Sequence, residues 1–396
     1  MNKGVAVTGM GIISAIGNGV EANYDALINS SHGLSFPEIL KTIHTHLPVG
    51  EIKRSNKELE KGLRLSKNHS FTRAALFGII AAKEAIFTAG LSKEDLSTTG
   101  FISGSSVGGM DATEKYYLEY ESSKSHRQFI AAQHPGFITN NISDYHGLNA
   151  YTTTISTACS SAANAIMLGA RLIKAGELDR VIVGGTDCLT KFTLNGFNSL
   201  KILSAEHCRP FDDSRNGLNL GEGAAYLVLE SEKLAQEKNI LARVTGYGNA
   251  NDAFHQTASS ETGEGAFLAM KNAIKIADIA EGDVDYINAH GTATRNNDFS
   301  ESVALKRFFI NQVPDFSSIK AFTGHTLAAA GALEAVYSIL SLQKNNIFPN
   351  LNFSKSMDET DLIPVTKVRS KKIKHILSNS FGFGGNCTSL IFSKNG

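Results

Sequence analysis

The stretch Thr157–Asn164, with the sequence TACSSAAN, indicates the fold because a related stretch, TGHTLAAA, follows 166 residues later at residues 323–330. Both stretches begin where a strand-like segment ends, and both lead into a helix that is rich in alanine. The alignment places Cys159 and His325 at equivalent positions. Two such elements in one chain indicate an internal duplication.

Further blocks of sequence repeat in the same order. VTGMG at residues 7–11 returns as VTGYG at 244–248, and KEAIFTAGL at 83–91 returns as KNAIKIADI at 271–279. The offset falls from 237 to 188 to 166 residues along the chain, so the first copy holds insertions, predicted at about residues 30–70 and 110–150. We predict two halves of one duplicated unit, residues 1–240 and 241–396, packed as one body.

Short apolar runs alternate with alanine-rich helical stretches along most of the chain. The apolar run that ends at Gly9 is typical of a strand buried on both faces. Such alternation predicts an α/β protein with both faces of its sheet covered. The predicted elements are strands at Val5–Thr8, Gly100–Ser103 and Arg180–Val183, and helices at Phe71–Ala89 and Ser160–Lys174.

Composition and charge exclude several classes of protein. The 396 residues include 38 basic and 38 acidic side chains, so no global field attracts nucleic acid or an anionic membrane. No apolar stretch reaches the roughly 18 residues of a membrane span, and we expect no signal peptide before the first strand. The four cysteines form no CxxC pair and no disulfide framework. We therefore expect a cytoplasmic protein that binds neither nucleic acid nor membrane, with the basic run KVRSKKIK at residues 367–374 as a solvated edge.

Cys159 is the strongest candidate for a nucleophile. A thiol at the start of a helix faces unpaired amides and a partial positive charge, which favour the thiolate. The amide of the same residue can contribute to an oxyanion site. Cys188, Cys208 and Cys387 lack this context and are expected to be ordinary buried residues.

Two histidines and one glycine-rich loop complete the candidate chemistry. His290 lies in YINAHGTATRNND, where an apolar strand ends, and His325 lies in KAFTGHTLAAAG, five residues after Lys320. Two such histidines in a chain with an activated cysteine indicate catalysis. Phe383 lies among glycines in SNSFGFGGN, where backbone amides can approach a ligand and the ring can move.

Three further motifs resemble those of hydrolases, dinucleotide-binding proteins and metal sites, but the neighbouring residues that each would need are missing. GSSVG at residues 104–108 matches the nucleophile elbow of hydrolases, but no strong helix follows it. GMG at 9–11 begins like a dinucleotide fingerprint, but Ser14 replaces the third glycine. The pair His44 and His46 lacks further ligands, so no metal site is predicted.

The whole chain resembles the elongating beta-ketoacyl-[acyl carrier protein] synthases of the thiolase-like superfamily. The resemblance implies a duplicated α/β fold in five layers, αβαβα, and an acyltransferase that acts as a homodimer or beside a related ketosynthase-like subunit. It also implies acyl carrier protein as partner, which delivers phosphopantetheine, and no metal or other cofactor. Nine blocks carry it in the order of the family: VAVTGMGIISAIGNG, GSSVGGM, TACSSAANAI, FNSLKILS, RPFDDSRNGLNLGEGAA, NDAFHQTA, AHGTATRNND, KAFTGHTLAAAGALEA and SNSFGFGGN.

The resemblance assigns a role to each matching residue of the catalytic site. Cys159 would accept the acyl chain, and His290 and His325 would drive decarboxylation of malonyl-carrier protein. Lys320 would pair with Glu334 and hold the His325 region in place. The amides of Cys159 and Phe383 would form the oxyanion hole, with the Phe383 ring as a gate.

Other residues are expected to bind the substrate or the carrier. Thr292 and Thr294, with Thr257, match the residues that bind the phosphopantetheine arm, while Val107 and Phe197 are expected to line the acyl pocket. Because the surface of a carrier protein is acidic, basic residues are expected to dock it. The docking candidates are Lys61, Arg64, Lys67, Lys124 and Arg127.

Departures from the family pattern leave the substrate open. Arg295 replaces the proline of GTxTP, Asn216 an aspartate, and Ala328 a glycine, while Ser259 stands where proline is common. Fatty acids, polyketides and polyenes all remain possible products. Two further alternatives also remain open, a thiolase with Cys387 as second cysteine and a non-catalytic chain-length subunit, although such a subunit lacks the active cysteine.

Overall fold

The computed structural model describes residues 4–66 and 69–395. The strands are β1 Val5–Ser14, β2 Gly17–Asn18, β3 Leu34–Ser35, β4 Val49–Gly50, β5 Gly100–Gly104, β6 Thr152–Ile155, β7 Arg180–Asp187, β8 Gly223–Glu230, β9 Ala242–Asn251, β10 Tyr286–Asn288, β11 Asp315–Ser317, β12 Asn346–Ile347, β13 Arg369–Ser370, β14 His375–Phe381 and β15 Asn386–Ser393. The helices are α1 Val20–Ile28, α2 Asn56–Leu63, α3 Arg73–Thr88, α4 Lys93–Ser97, α5 Met110–Tyr116, α6 Arg127–Ala131, α7 Pro135–His146, α8 Ser161–Lys174, α9 Lys191–Ser199, α10 Glu232–Ala235, α11 Glu264–Ala277, α12 Arg295–Phe308, α13 Lys320–Thr323 and α14 Ala330–Lys344.

All five predicted elements are present, with shifted boundaries that have local causes. Helix α3 begins two residues later than predicted because the Thr72 side chain accepts a hydrogen bond from the Ala75 amide and caps it. Strand β1 continues beyond Gly9 to Ser14. It does so because Gly9 and Gly11 let the backbone of α3 approach, and a Cβ at Gly11 would lie 2.1 Å from the Ala81 carbonyl oxygen.

The main sheet consists of two similar halves. Its strand order is β11-β10-β14-β15-β9-β1-β8-β7-β5-β6, with β2 added beside β1. In one half β6, β5 and β7 are parallel and β8 and β1 follow antiparallel. In the other half β11, β10 and β14 are parallel and β15 and β9 follow antiparallel. A short pairing of Val5–Val7 with Ala242–Val244 joins the halves.

The layers are αβαβα, as the resemblance implied. Helices α8 and α14 lie between the two halves of the sheet and form the central core with apolar side chains from both. Helices α3 and α7 cover the outer face of one half, and α11 and α12 cover the outer face of the other. Among the described residues, no helix is both long and apolar enough to span a bilayer.

The duplication is visible in atomic packing. A Cβ at Gly9 would meet the Ala85 carbonyl oxygen of α3 at 2.4 Å, and a Cβ at Gly246 would meet the Ala273 carbonyl oxygen of α11 at 2.2 Å. Both glycines therefore serve the same close contact between strand and helix. The first copy contains the predicted insertions, since residues 15–72 connect β1 to α3 whereas residues 252–263 connect β9 to α11.

Candidate active site

Both halves contribute residues to one cavity of about 560 Å³. Cys159, His290 and His325 lie at its buried base, with exposed fractions of 6%, 1% and 2%. Cys159 lies just before α8, His290 just after β10 and His325 just after α13. The fold therefore brings together side chains that are up to 166 residues apart in sequence. The structure therefore places the three predicted reactive residues in one cavity.

The backbone before each half's reactive residue takes the same unusual conformation. Ala158 has φ of +52° and Gly324 has φ of +71°, at positions that the sequence repeat makes equivalent. Alanine seldom adopts positive φ, so Ala158 is strained. This turn directs Cys159 toward the cavity just before α8, and Gly382 packs against it, since a Cβ there would lie 2.8 Å from the Thr157 carbonyl oxygen.

The Cys159 thiol is paired with His325 but is not a thiolate in the free protein. His325 Nε2 lies 3.0 Å from Cys159 Sγ. Burial raises the pKa of Cys159 to about 12, although the Lys320 charge and a hydrogen bond from the Phe383 amide act in the opposite direction. The expectation that the helix terminus favours thiolate is therefore wrong for the free protein, because burial has the larger effect.

Lys320 fixes the second histidine. Its Nζ lies 2.5 Å from Glu334 Oε1, 2.5 Å from the His290 carbonyl oxygen and 3.3 Å from His290 Nδ1, so its three donors are all used. Because an ammonium group can only donate, His290 Nδ1 must accept, and the ring proton is on Nε2. Lys320 contacts Glu334, and its ammonium also holds His290.

Burial keeps both imidazoles neutral. It lowers the pKa of His290 and of His325 well below the usual value near 6.5, and the Lys320 charge adds to the effect on each. The two rings are almost perpendicular, with centroids 5.4 Å apart. His325 Nδ1 has no hydrogen-bond partner within the described parts of the chain, so its proton is not fixed to one nitrogen.

Glu301 supports His290 and was missed in the sequence. Its carboxylate accepts hydrogen bonds from the amides of His290 and Gly291 at 2.9 and 2.8 Å. Burial raises the pKa of Glu301 to about 7, against the effect of these amides. An acidic side chain in an otherwise polar helix eleven residues after His290 gave too weak a signal to single out.

The predicted substrate residues divide between two cavities that meet at Cys159. Thr257, Thr292 and Thr294 line the cavity described above, and the hydroxyls of Thr292 and Thr294 are 3.0 Å apart. Val107 lines a second cavity of about 680 Å³.

Phe197 and Phe383 mark the junction. Both line both cavities, and their rings are stacked with centroids 5.7 Å apart. The Phe383 ring therefore lies where a gate between an entry channel and an acyl pocket would have to lie.

The predicted docking residues lie away from these cavities. Lys61, Arg64, Lys124 and Arg127 are exposed, and none of the four lines either cavity that reaches Cys159. Lys67 lies outside the described residues. The exposed cations that do line the first cavity are Lys201 and Arg295, which were not proposed from sequence as docking residues.

The remaining motifs have structural explanations. In GSSVG, the Ser106 hydroxyl donates to the buried Asp187 carboxylate at 2.7 Å and has no histidine partner among the described contacts. The basic run forms ion pairs, with Arg369 and Lys371 both contacting Asp315. No group of potential metal ligands occurs within residues 4–66 and 69–395.

The remaining cysteines are buried and free, as expected. Cys188 and Cys208 lie outside both cavities that reach Cys159, whereas Cys387 lines the first one. Burial raises the pKa of Cys387. Among residues 4–66 and 69–395, Cys387 has no imidazole hydrogen bond of the kind that Cys159 forms with His325.

Sequence comparison identifies the family. The profile described as "Beta-ketoacyl synthase, N-terminal domain" matches residues 2–235, and the profile described as "Beta-ketoacyl synthase, C-terminal domain" matches residues 241–354. The chain belongs to the beta-ketoacyl synthase family, whose members are acyltransferases. It is 34% identical over 411 residues to 3-oxoacyl-[acyl-carrier-protein] synthase 2 of Staphylococcus aureus, with 99% of both chains covered.

Solved structures of ketosynthases are similar to this chain over its full length. The chain is similar to the ishigamide ketosynthase/chain length factor, with a TM-score of 0.92, 27% identity and 100% of both chains covered. It is also similar to the ketosynthase of Xenorhabdus doucetiae solved in complex with its chain length factor, with a TM-score of 0.84 and 28% identity. That match covers 99% of this chain and 98% of the other.

Proposed function

We propose that this chain is a 3-oxoacyl-[acyl-carrier-protein] synthase, which joins a cysteine-bound acyl chain to malonyl-carrier protein with loss of CO₂. The contact of 3.0 Å between Cys159 Sγ and His325 Nε2, with His290 in the same buried cavity, supports this most directly. A thiol forms and releases thioesters, and two neutral imidazoles suit an enolate oxygen. The Staphylococcus aureus relative is named for this activity.

In the first half-reaction His325 acts as the base. Cys159 Sγ attacks the thioester carbonyl of the acyl-carrier protein while His325 Nε2 takes the thiol proton. The amides of Cys159 and Phe383 hold the oxyanion. The bond to the phosphopantetheine sulfur then breaks, and this sulfur takes the proton from His325. The acyl chain stays on Cys159 and occupies the second cavity, beside Val107 and Phe197.

In the second half-reaction both histidines donate. The bond between the malonyl carboxylate and its neighbouring carbon breaks, CO₂ leaves, and the electron pair forms an enolate. Before this step the remaining proton of His325 moves from Nδ1, which has no partner among the described residues, to Nε2 through water. The Nε2–H groups of His290 and His325 then hydrogen-bond the enolate oxygen. The enolate carbon attacks the acyl carbonyl, and Cys159 leaves as a thiolate that regains a proton from water through His325. Besides groups of this chain, the proposed reaction uses the carrier-bound substrates and water.

The partner that we propose is an acyl carrier protein whose arm contacts Thr257, Thr292 and Thr294. Docking is proposed at the basic residues predicted from sequence, which include Arg64. If Arg64→Glu leaves the rate with carrier-bound substrate unchanged at low salt, this docking surface is wrong. We further propose that the protein acts in the cytoplasm and that its halves divide at residues 240 and 241.

A second candidate is the catalytic half of a heterodimeric ketosynthase. The second cavity is also lined by Gln133 and His134, which are exposed in the single chain, so a partner subunit there could close it. The likeness to two ketosynthase and chain length factor structures supports a related subunit, although an identical copy is the alternative. The pairing of Cys159 with His325 argues against a non-catalytic chain-length subunit.

Intact-mass analysis tests the proposal. The protein is mixed with a panel of acyl-carrier proteins, and malonyl-carrier protein is then added. A mass gain on Cys159 followed by a product two carbons longer is expected, and the donor that acylates identifies the chain class. If no donor acylates Cys159, even after co-expression with a ketosynthase-like partner subunit, the proposed function is wrong.

A further inference from the structure

The rim of the cavity above Cys159 carries two exposed cations. Lys201 and Arg295 are exposed and line this cavity. Within residues 4–66 and 69–395, neither side chain forms an ion pair within 4.0 Å or a side-chain hydrogen bond. Arg295 also lines a neighbouring cleft with Asp213 and Glu359, but the Asp213 carboxylate is paired with Lys355. Exposed cations without partners at the mouth of a buried site are suited to meet an anionic part of the substrate.

The acidic and neutral groups of the rim do not cancel this charge. Asp252 is the single carboxylate among the described residues that line the cavity. Its oxygens already accept from the Ser260 amide, the Ser260 hydroxyl and the Gly265 amide at 2.6 to 2.8 Å. His255 adds a donor, because its Nδ1 accepts from the Thr257 amide at 3.1 Å and the neutral ring then carries its proton on Nε2.

Arg295 stands at the outer end of a wall that runs from the base of the cavity to its rim. Exposure increases along this wall from His290 at 1% and Thr292 at 5% to a half-buried Thr294 and an exposed Arg295. The backbone of Arg295 is anchored at the start of α12, since the buried Arg215 guanidinium donates to its carbonyl oxygen at 2.9 Å. The wall therefore presents its groups in a fixed order.

That order matches the chemistry of a phosphopantetheine arm. A thioester must reach Cys159 and His290, and the hydroxyls of Thr292 and Thr294 come next along the wall. The phosphodiester, which joins the arm to the carrier protein, then comes last. We propose that Arg295 and Lys201 form a phosphate-binding pair for this group. The inference rests on the proposed function for the identity of the arm.

The test compares acylation of Cys159 by thioesters of pantetheine and of 4′-phosphopantetheine, which differ only in the phosphate. The quantity measured is the ratio of the two second-order rate constants, obtained by intact mass. Arg295→Gln and Lys201→Gln should each lower this ratio about fivefold, as expected for a partly exposed charge contact. Lys275→Gln, an exposed lysine of α11, is the matched control and should leave the ratio unchanged.

Three results would overturn the inference. The first is that both rate constants stay unchanged in both variants. The second is that both thioesters lose rate equally, so that the ratio is constant, which would indicate a structural role. A loss seen with acyl-carrier protein but not with 4′-phosphopantetheine would mean that the cations meet carboxylates of the carrier instead. If no thioester acylates the wild-type protein, the proposed function fails. Calorimetry with free 4′-phosphopantetheine then tests the inference separately: weaker binding to Arg295→Gln than to wild type supports the phosphate-binding pair, and equal binding overturns it.

Discussion

Replacing His290 or His325 by alanine should affect the two half-reactions differently because, of these two histidines, His325 is the one that hydrogen-bonds the sulfur of Cys159. The His325 Nε2 to Cys159 Sγ distance is 3.0 Å, whereas His290 is bound by Lys320 through Nδ1 and presents Nε2–H to the cavity. His290→Ala should therefore remove an enolate donor and leave the base for acylation in place. His325→Ala should remove both.

The expected magnitudes follow from these roles. Loss of one preorganised donor costs about 100- to 1,000-fold in rate, so decarboxylation should fall by this factor in His290→Ala. Acylation of Cys159 should change by no more than about threefold, since Lys320 keeps its contact with Glu334. In His325→Ala acylation should also fall, by about 100- to 10,000-fold, because a general base is lost.

Two assays measure the half-reactions separately. Release of labelled CO₂ from malonyl-carrier protein reports decarboxylation, and time-resolved intact mass reports acylation of Cys159. Thermal unfolding of each variant, with His290→Asn as a polar replacement, controls for damage to the fold. Equal losses of acylation in His290→Ala and His325→Ala would refute the assignment of the base to His325.

Three further predictions test single groups. Cys159→Ala should abolish acylation and condensation but retain CO₂ release, since both histidines remain; a variant that still elongates acyl chains would contradict this. The pKa of Glu301 is raised to about 7, so its carboxylate form, which accepts from the His290 amide, is lost as pH falls through 7. Activity should therefore decline below about pH 7, and a pH–rate profile of Glu301→Gln should lack this limb, whereas an unchanged limb would exclude Glu301. Asp187→Ala leaves the donors of Ser105, Ser106, Val107 and Ala328 unpaired and should lower the free energy of unfolding in urea by at least about 3 kcal/mol; a loss under 1 kcal/mol would be inconsistent.

The acyl chain length depends on where the second cavity ends, and in the single chain this cavity reaches the surface. The second cavity lies beside Val107 and reaches exposed residues such as His134. A neighbouring subunit at this surface would set where the cavity ends. Comparing products of the protein alone and with a co-expressed ketosynthase-like subunit addresses this directly, because a change in chain length would locate the end of the cavity at the interface.

Much of the site was encoded in local sequence. The repeat of TACSSAAN and TGHTLAAA predicted the duplication and the equivalence of Cys159 and His325, because each motif builds its own tight turn and helix start. The strand expected directly before TGHTLAAA was wrong, because that segment is the short helix α13. The positive φ values of Ala158 and Gly324 are the physical counterpart of that repeat. Family motifs likewise located His290, Lys320 and Phe383, since short segments around each residue are characteristic.

Only the tertiary structure decided the protonation states and hydrogen-bond partners of the active-site side chains, because these depend on burial and on contacts between distant segments. The sequence suggested a thiolate at Cys159, but enclosure by both halves raises its pKa to about 12 and leaves the proton for His325 to remove. Lys320 contacts His290 across 30 residues, and the support from Glu301 was not apparent in the sequence. The charged rim at Lys201 and Arg295 also appears only when chain segments 94 residues apart come together. A sequence specifies which groups are available, whereas their electrostatic state is a property of the folded environment.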